Sequence, residues 1–265
     1  MPILETESLT RSFKSVVAVD CLNLAIEPGE IFGLLGPNGA GKTTTIKMLT
    51  TLLPPTSGKG YVAGYDVVTH AGDVRRLIGY VPQMLSADGT LTGYENLIIF
   101  AKLYDLPKSE REDRVHDALN FMGLEDSADK MVRQYSGGMI RRLEIAQSML
   151  HRPRVLFLDE PTVGLDPNAR RTVWDHIQQL CDRYGTTILL TTHMMEEADV
   201  ICGRVAIMHH GKIAAIGSPD ELKASIEGDD VTLDDVFIYY SGDTLDTGGT
   251  YRETSRARRT ARRLG

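Results

Sequence analysis

The sequence has few cysteines and no long apolar run. Its three cysteines, Cys21, Cys181 and Cys202, are widely spaced, which predicts reduced thiols instead of disulfides or paired zinc ligands. No window approaches the ~20 apolar residues of a membrane-spanning helix. The opening Met1–Glu7 also lacks the basic start and apolar core of a secretory signal. We therefore expect a chain that stays in the cytosol and does not itself cross a membrane.

The sequence also lacks an overall positive charge. It contains 29 lysines and arginines against 36 aspartates and glutamates, and six of the arginines lie near its end. The acidic remainder argues against nucleic acid as a partner, since a protein that follows phosphates presents a basic face. For the basic end, residues 241–265, two interpretations stay open. One is a flexible, solvated tail, and the other is a helical arc of Arg252, Arg256, Arg259 and Arg263 that meets anionic lipid.

A glycine-rich stretch between an apolar run and a helix is the strongest motif. The run Ile31–Leu35 predicts a buried strand, and we expect a helix from Lys42 to Leu53. In this context the backbone N–H groups of a P-loop surround phosphate, Lys42 reaches the β- and γ-phosphates, and Thr43 binds Mg²⁺. The predicted nucleotide-binding residues are Gly36, Asn38, Gly39, Ala40, Gly41, Lys42, Thr43 and Thr44. A glycine-rich turn that matches by chance is opposed by the agreement of strand, loop and helix.

Two carboxylates end another apolar run. Val155–Leu158 predicts a strand buried on both faces, and Asp159 and Glu160 follow it directly. Because successive residues of a strand point in different directions, Asp159 can hold Mg²⁺ while Glu160 polarises the attacking water as a general base. The alternative is that both carboxylates cap the turn that follows.

Gln83 and His193 also follow apolar strand runs. Ligands of open α/β sheets bind beyond the carboxyl ends of the strands, so we expect both side chains at that edge, with His193 near the γ-phosphate. A histidine in such a place can equally be an ordinary polar residue. Phe13 is predicted in a polar loop, where it either stacks on a base or packs against the domain.

The sequence Ser136-Gly137-Gly138 precedes a helix that is expected to start near Met139. A serine hydroxyl, glycine N–H groups and a helix N-terminus make half of an anion site, without a carboxylate or lysine of its own. Because this loop lies far along the chain from Lys42, we interpret it as completing a site on another subunit.

Strands that alternate with helices predict an α/β fold. The N-terminal part is β-rich, and residues 84–150 indicate a helical insertion in which Ser109 and Glu112 form a capping box at the start of the second helix. Asp166 is expected to cap a later helix, and a further capping box at Ser218 begins the C-terminal helices. The predicted units are a domain over residues 1–217, a helical extension over 218–240 and the basic tail.

These motifs, in this order, resemble the ATPase subunit of an ATP-binding cassette (ABC) transporter over about residues 3–217. The resemblance implies a P-loop NTPase fold with a mainly β N-terminal subdomain, a RecA-like core and a helical insertion. It assigns Walker A to Gly36–Thr44, and Walker B to Asp159 and Glu160. It assigns the Q-loop to Gln83, as a catalytic and metal-binding residue, and the signature to Tyr135–Met139. The remaining assignments are the D-loop to Pro161–Asp166, the switch histidine to His193 and adenine stacking to Phe13. Met139 stands where the family more often has glutamine, and Phe13 where it usually has tyrosine.

The resemblance also implies partners and a function. It implies an ATP hydrolase that uses ATP and Mg²⁺ and forms a head-to-tail homodimer, in which each ATP lies between Walker A of one copy and the signature of the other. A separate transmembrane permease would hold it at the cytoplasmic face of the cell membrane as a peripheral subunit. Residues 64–66, 135–139 and 232–237 resemble the daunorubicin-resistance branch of drug exporters.

Other interpretations stay open at this point. An exporter of polysaccharide or an importer would use the same cassette, and residues 232–237 can be a plain closing helix. A soluble ABC ATPase of DNA repair or translation belongs to another functional class. Those types carry a long coiled coil or two cassettes, whereas this chain has one cassette and about 76 residues from Gln83 to Asp159.

Overall fold

The part of the chain that the structure describes contains ten strands and nine α-helices. The structure is a computed structural model, and it describes residues 1–228 and 230–241. The strands are β1 (Leu4–Phe13), β2 (Val16–Ile26), β3 (Ile31–Leu35), β4 (Ser57–Val62), β5 (Tyr65–Asp66), β6 (Ile78–Val81), β7 (Val155–Asp159), β8 (Thr187–Thr192), β9 (Arg204–His209) and β10 (Lys212–Gly217). The helices are α1 (Lys42–Leu49), α2 (Ala71–Leu77), α3 (Gly93–Leu103), α4 (Arg111–Phe121), α5 (Gly137–Met149), α6 (Pro167–Tyr184), α7 (Met195–Ile201), α8 (Pro219–Ala224) and α9 (Leu233–Ser241).

The strands form two sheets. The smaller sheet is antiparallel, in the order β2-β1-β4-β5, and the larger sheet has the order β10-β9-β3-β8-β7-β6 and is parallel except for β10. Leu35 pairs with Thr192, and Asp159 with Thr191. The carboxyl ends of β3, β7 and β8 therefore lie side by side, and the residues that follow them gather at one edge.

The central strands are apolar because both of their faces are covered. Every residue of β3, β7 and β8 is buried, as is typical of parallel strands between two layers. Alternate residues face two different cores. Phe157 packs in the core shared with the smaller sheet, whereas Leu156 and Leu158 pack in the core shared with the helices. The predicted α/β fold is confirmed.

Helices α3, α4 and α5 lie within the region predicted as a helical insertion. Helix α3 begins with a capping box, in which Thr92 Oγ1 accepts from the Glu95 N–H and Glu95 accepts from the Thr92 N–H. Helix α4 ends before Gly123, whose left-handed backbone (φ 61°) is the conformation in which glycine commonly closes a helix.

The start predicted for α4 is wrong. Ser109 and Glu112 form no capping box, and the helix begins at Arg111 without a side-chain cap. A turn in which Glu110 N–H donates to the Pro107 carbonyl (2.9 Å) comes first, and it moves the start of the helix beyond Ser109.

Helix α1 ends earlier than its apolar pattern predicts. It begins at Lys42 as expected but stops at Leu49 instead of Leu53. The Thr50 hydroxyl donates to the Ile46 carbonyl at 2.8 Å, and Thr51 takes the left-handed conformation (φ 65°), which no helix continues through.

The C-terminal helices begin where capping residues predict. Ser218 and Glu221 form the capping box of α8, and the Thr232 hydroxyl and Asp235 carboxylate bond each other at the start of α9. Helix α9 runs to Ser241, the first residue of the predicted tail. The rest of that tail, residues 242–265, lies outside the described residues, and so does the whole predicted arginine arc. The predicted division between a domain ending at residue 217 and a helical extension stays a prediction.

Within residues 1–228 and 230–241, no helix has the length and apolar character needed to span a bilayer.

Candidate nucleotide-binding and catalytic site

The loop between β3 and α1 contains two glycines that no other residue can replace without movement. A Cβ at Gly36 (φ 154°) would lie 2.2 Å from the Met208 carbonyl oxygen, and one at Gly41 (φ 108°) would lie 2.4 Å from that of Ala18. The loop thereby passes close to the neighbouring backbone and leads directly into α1, whose N-terminal N–H groups and dipole favour an anion. In the rest of the loop Ala40 is buried, and Asn38 and Gly39 are exposed, while Thr44 in the first turn of α1 is half-buried.

Lys42 points back into this loop. Its ammonium donates to the carbonyls of Gly36 (2.8 Å) and Pro37 (3.2 Å) and lies 3.3 Å from Glu160 Oε1. Burial lowers the pKa of Lys42, and the negative charge of Glu160 opposes that change by favouring the ammonium. The lysine is therefore a buried cation at the place where the loop would surround a phosphate.

Glu160 is the meeting point of the predicted catalytic residues. Gln83 Nε2 donates to Glu160 Oε2 at 3.3 Å, and His193 Nδ1 lies 3.1 Å from the same oxygen. Together with Lys42 at the start of α1, three side chains from separate parts of the chain surround one buried carboxylate. The structure thus brings Gln83 and His193 to one sheet edge, as the sequence predicts.

Asp159 faces a different set of groups from its neighbour. Its Oδ1 accepts from the hydroxyls of Thr43 (3.0 Å) and Thr191 (2.6 Å). A regular strand would point Asp159 and Glu160 to opposite faces, but the left-handed backbone of Glu160 (φ 48°) allows both to serve one site. In the described chain these carboxylates contact the P-loop, β8 and nearby side chains, which does not support the alternative that they cap the next turn.

The pair of Thr43 and Asp159 fits a magnesium ion. A hydroxyl and a carboxylate oxygen 3.0 Å apart beside a phosphate loop are hard oxygen donors, the type that Mg²⁺ prefers.

Thr191, whose hydroxyl donates to Asp159, was missed by the sequence reasoning. Its only sequence signal is its place in the buried strand β8, in register with Asp159.

The loop Ser136–Gly138 has one anchored end and one open end. Helix α5 begins at Gly137, two residues before the predicted start, and the Ser136 hydroxyl caps it by accepting from the Met139 N–H at 3.3 Å. Gly138 is buried because α6 approaches so closely that an added Cβ would lie 2.7 Å from Ala169 Cβ. Ser136 and Gly137 are exposed, and this surface is free to meet a second molecule.

Phe13 and Asp166 lie at the surface. Phe13 is the last residue of β1, paired with Val16, so its predicted position in a loop is wrong. Its ring is 43% exposed, with the Arg11 guanidinium 4.7 Å from the ring centroid, which leaves area for a stacked base. Asp166 caps α6 as predicted, accepting from two backbone N–H groups at 3.0 Å.

Sequence reasoning also missed a buried carboxylate behind the site. Glu197 of α7 accepts from the Thr162 hydroxyl at 2.7 Å and from the Trp174 indole N–H at 2.9 Å. It thereby connects the segment after Glu160 to the helix that follows His193. No local pattern distinguishes it from its exposed neighbour Glu196.

A family model described as ABC transporter matches residues 19–163, which is more than half of the chain. This segment runs from before the P-loop to beyond Asp159 and Glu160 at the end of β7. The chain belongs to the ABC transporter family. It is an ATP-hydrolysing, ATP-binding subunit, as the family match indicates, and the glycine-rich loop beside buried carboxylates agrees with this.

Two curated ABC relatives are named for drug resistance. The daunorubicin/doxorubicin resistance ATP-binding protein DrrA of Streptomyces peucetius is 45% identical over 84% of this chain and 67% of its own length. The linearmycin resistance ATP-binding protein LnrL of Bacillus subtilis is 37% identical over 86% of this chain and 73% of its own. This chain spans only 41% of YbhF of Escherichia coli, which is named as a multidrug ABC transporter ATP-binding protein and is 41% identical.

Solved ABC structures show the same fold. An ATP-binding subunit of an ABC transporter superposes with a TM-score of 0.79 at 28% identity, covering 90% of this chain and 99% of that one. A dimeric ATP-binding cassette in a post-hydrolysis state, bound to ADP and phosphate, superposes with a TM-score of 0.73 at 25% identity, covering 81% and 98% of the two chains.

Proposed function

We propose that this ABC ATPase powers export of a drug or another lipophilic compound through a separate transmembrane subunit. Relatives named for resistance to daunorubicin, doxorubicin and linearmycin support export as the direction of transport. In this proposal the chain binds its membrane partner at the cytoplasmic face as a peripheral subunit, and the partner selects the compound. A soluble ABC ATPase of repair or translation is not favoured by these relatives.

The convergence of Lys42, Gln83 and His193 on Glu160 is the observation that carries the proposed chemistry. With ATP in the P-loop, Lys42 turns its ammonium from Glu160 to the β- and γ-phosphates. The Glu160 carboxylate then accepts a proton from water as the water oxygen attacks the γ-phosphorus. The bond from that phosphorus to the bridging oxygen breaks, and ADP leaves with the electron pair. Gln83 and His193 orient the water and the transferred phosphoryl group.

Thr43 and Asp159 are the proposed magnesium ligands, and Gln83, which contacts the neighbouring Glu160, is a further proposed ligand. The ion, when bound, neutralises negative charge on the β- and γ-phosphates. Asp159 is held for this task by the Thr191 hydroxyl at 2.6 Å, which fixes the carboxylate on the side of β7 that faces Thr43.

Two copies of the chain form the proposed working unit. Ser136 and Gly137 are exposed at the N-terminus of α5, where a hydroxyl and free N–H groups favour an anion. The dimeric ABC relative with ADP and phosphate supports a dimer. In this proposal the two copies lie head to tail, so that this loop meets the γ-phosphate held by the partner's P-loop. Phe13 supplies a surface for the adenine, and Asp166 lies in the segment that links the two sites.

The surface next to Gln83 is the proposed contact with the transmembrane subunit. Met84 is 82% exposed and Leu85 is 50% exposed. Burial of these two adjacent apolar side chains against a protein would remove them from water, which is favourable. A partner bound there would sense the position of Gln83, and so the state of the nucleotide.

Transport by a reconstituted complex tests the proposal. The chain and its membrane subunit, inserted in vesicles with the ATPase outside, should accumulate daunorubicin, followed by its fluorescence, only with ATP and Mg²⁺. Glu160→Gln in the same vesicles is the matched control. ATP hydrolysis without movement of daunorubicin or linearmycin-type compounds would overturn drug export while leaving the ATPase assignment intact.

A further inference from the structure

Two charged residues of α5 lie buried beside the loop that carries Gln83. Arg141 and Glu144 form an ion pair at 3.0 Å, and each side chain is only 2% exposed. Burying two charges removes them from water at a considerable free-energy cost unless further hydrogen bonds satisfy them. The partners that satisfy this pair therefore indicate what it does.

Arg141 holds the start of the Gln83 loop. Its Nη1 donates to the Pro82 carbonyl at 2.7 Å, and its Nη2 donates to the Gln83 carbonyl at 2.7 Å. The guanidinium is a rigid planar fork, so two bonds to consecutive carbonyls fix the position and orientation of that backbone.

Glu144 holds the end of the same loop. One carboxylate oxygen accepts from the Ser86 N–H, from the Ser86 hydroxyl at 3.2 Å and from the Ala87 N–H at 3.3 Å. Between the two attachments, Met84 and Leu85 project to the surface. Residues three apart on one helix thus fasten the loop before and after its exposed middle.

We propose that Arg141 and Glu144 are positioning residues that set Gln83 against Glu160 and join that contact to the signature helix. The inference rests on the proposed function, because it assumes that Gln83 takes part in hydrolysis. Helix α5 has Ser136 at its N-cap and Arg141 and Glu144 in the turns that follow. Helix α5 therefore connects the exposed loop at Ser136, which faces the proposed second copy, to Glu160 in the same chain through the Gln83 loop. A displacement of the loop at Met84 and Leu85 by a membrane partner would pass through the same attachments.

Variants of Arg141 and Glu144, each made with and without Gln83, distinguish this positioning role from a merely structural ion pair. Arg141→Lys keeps the charge beside Glu144 but cannot donate to both carbonyls in the same geometry. In the full-length chain we expect it to lower kcat for ATP about tenfold and to change KM little. In a Gln83→Ala background the same change should lower kcat no further, because the residue acts through Gln83. Glu144→Gln, which keeps an acceptor oxygen but loses the charge, should show the same dependence on Gln83.

Arg142→Lys is the matched control. Arg142 is the next residue of α5, but its Nη1 donates to the Met122 carbonyl at 2.7 Å, at the end of α4, and not to the Gln83 loop. We expect it to leave kcat near the wild-type value. If Arg141→Lys does not fold, Glu144→Gln and Ser86→Ala, which removes only one hydroxyl, provide the same comparison with and without Gln83.

Two results from the Arg141 and Glu144 variants would overturn the inference. One is wild-type kcat in the Arg141 and Glu144 variants, and the other is an equal loss of kcat whether or not Gln83 is present. Gln83→Ala without any effect on turnover would also overturn it. Failure of the proposed drug export looks different, because the wild-type chain would then still release phosphate from ATP while its complex with the membrane subunit moved no daunorubicin.

Discussion

Glu160 contacts Lys42, Gln83 and His193, and its carboxylate is the proposed general base. We predict that Glu160→Gln keeps ATP affinity but lowers kcat by about 10²–10⁴-fold, because the amide preserves the shape and cannot accept the proton. Phosphate release and nucleotide binding, measured on the same preparation, check both parts. Glu196→Gln is a suitable control, since its side chain is 69% exposed. Normal turnover in Glu160→Gln would remove Glu160 from this role.

His151 predicts a pH dependence of stability. Its ring stacks on Tyr104 with centroids 3.9 Å apart, and Nε2 lies 2.9 Å from the Ile78 carbonyl oxygen. Burial lowers the pKa of His151, and the contact with the carbonyl opposes this only in part. The unfolded chain gains a proton near pH 6.5 while the folded chain resists it, so this histidine lowers stability as the pH falls below that value.

We predict that His151→Phe removes this contribution while keeping the ring stacked on Tyr104. The free energy of unfolding of the wild type, relative to the variant, should fall between pH 7.5 and 5 by at most about 1.4 kcal/mol per pH unit. Urea unfolding at several pH values measures this difference, in which groups common to both proteins cancel. The exposed His116, replaced in the same way, is the control. Parallel stability curves for the wild type and His151→Phe would show that the prediction is wrong.

At the scale of elements, the contact of α5 with α6 depends on Gly138. A methyl group there would lie 2.7 Å from Ala169 Cβ, which cannot move without its backbone. We predict that Gly138→Ala lowers the free energy of unfolding by about 1–3 kcal/mol through overpacking. Gly137→Ala is the control, since its Cβ would meet only Leu165 Cδ2 at an ordinary 3.5 Å. Thermal unfolding without nucleotide compares the two, and equal stability would mean that α6 adjusts.

The elements that the sequence predicts well carry a local signal, and those that it misses do not. Strands β3, β7 and β8 are short apolar runs, and the site residues follow them directly. The ends of helices are harder, because at Thr50 and Pro107 single backbone or hydroxyl bonds compete with the helix at small free-energy differences. Arg141 and Glu144 were not predictable as buried, since charged residues on a helix are usually exposed and only the fold supplies their partners.

At the scale of the whole molecule, the exposed loop at Ser136 is the feature on which the proposed homodimer depends. Within the described residues, Ser136 bonds to its own helix through the Met139 N–H, and its hydroxyl and the adjoining Gly137 face outward. The Walker A residues of the same chain contact Glu160 through the ammonium of Lys42. In the proposed homodimer there are two sites, each made from the Walker A residues of one chain and the Ser136 loop of the other.

This arrangement predicts complementation between two inactive variants. Ser136→Arg adds bulk to the exposed loop, and Lys42→Ala removes the buried cation, so each homodimer should have both sites damaged. In a mixed dimer the two defects fall on one site, and the other site, with Lys42 from one copy and Ser136 from the other, is intact. An equimolar mixture should therefore recover up to about a quarter of wild-type ATP hydrolysis. Two affinity tags, one on each variant, identify the mixed dimers. If these mixed dimers hydrolyse no ATP, the proposal that each site is made from both copies is wrong.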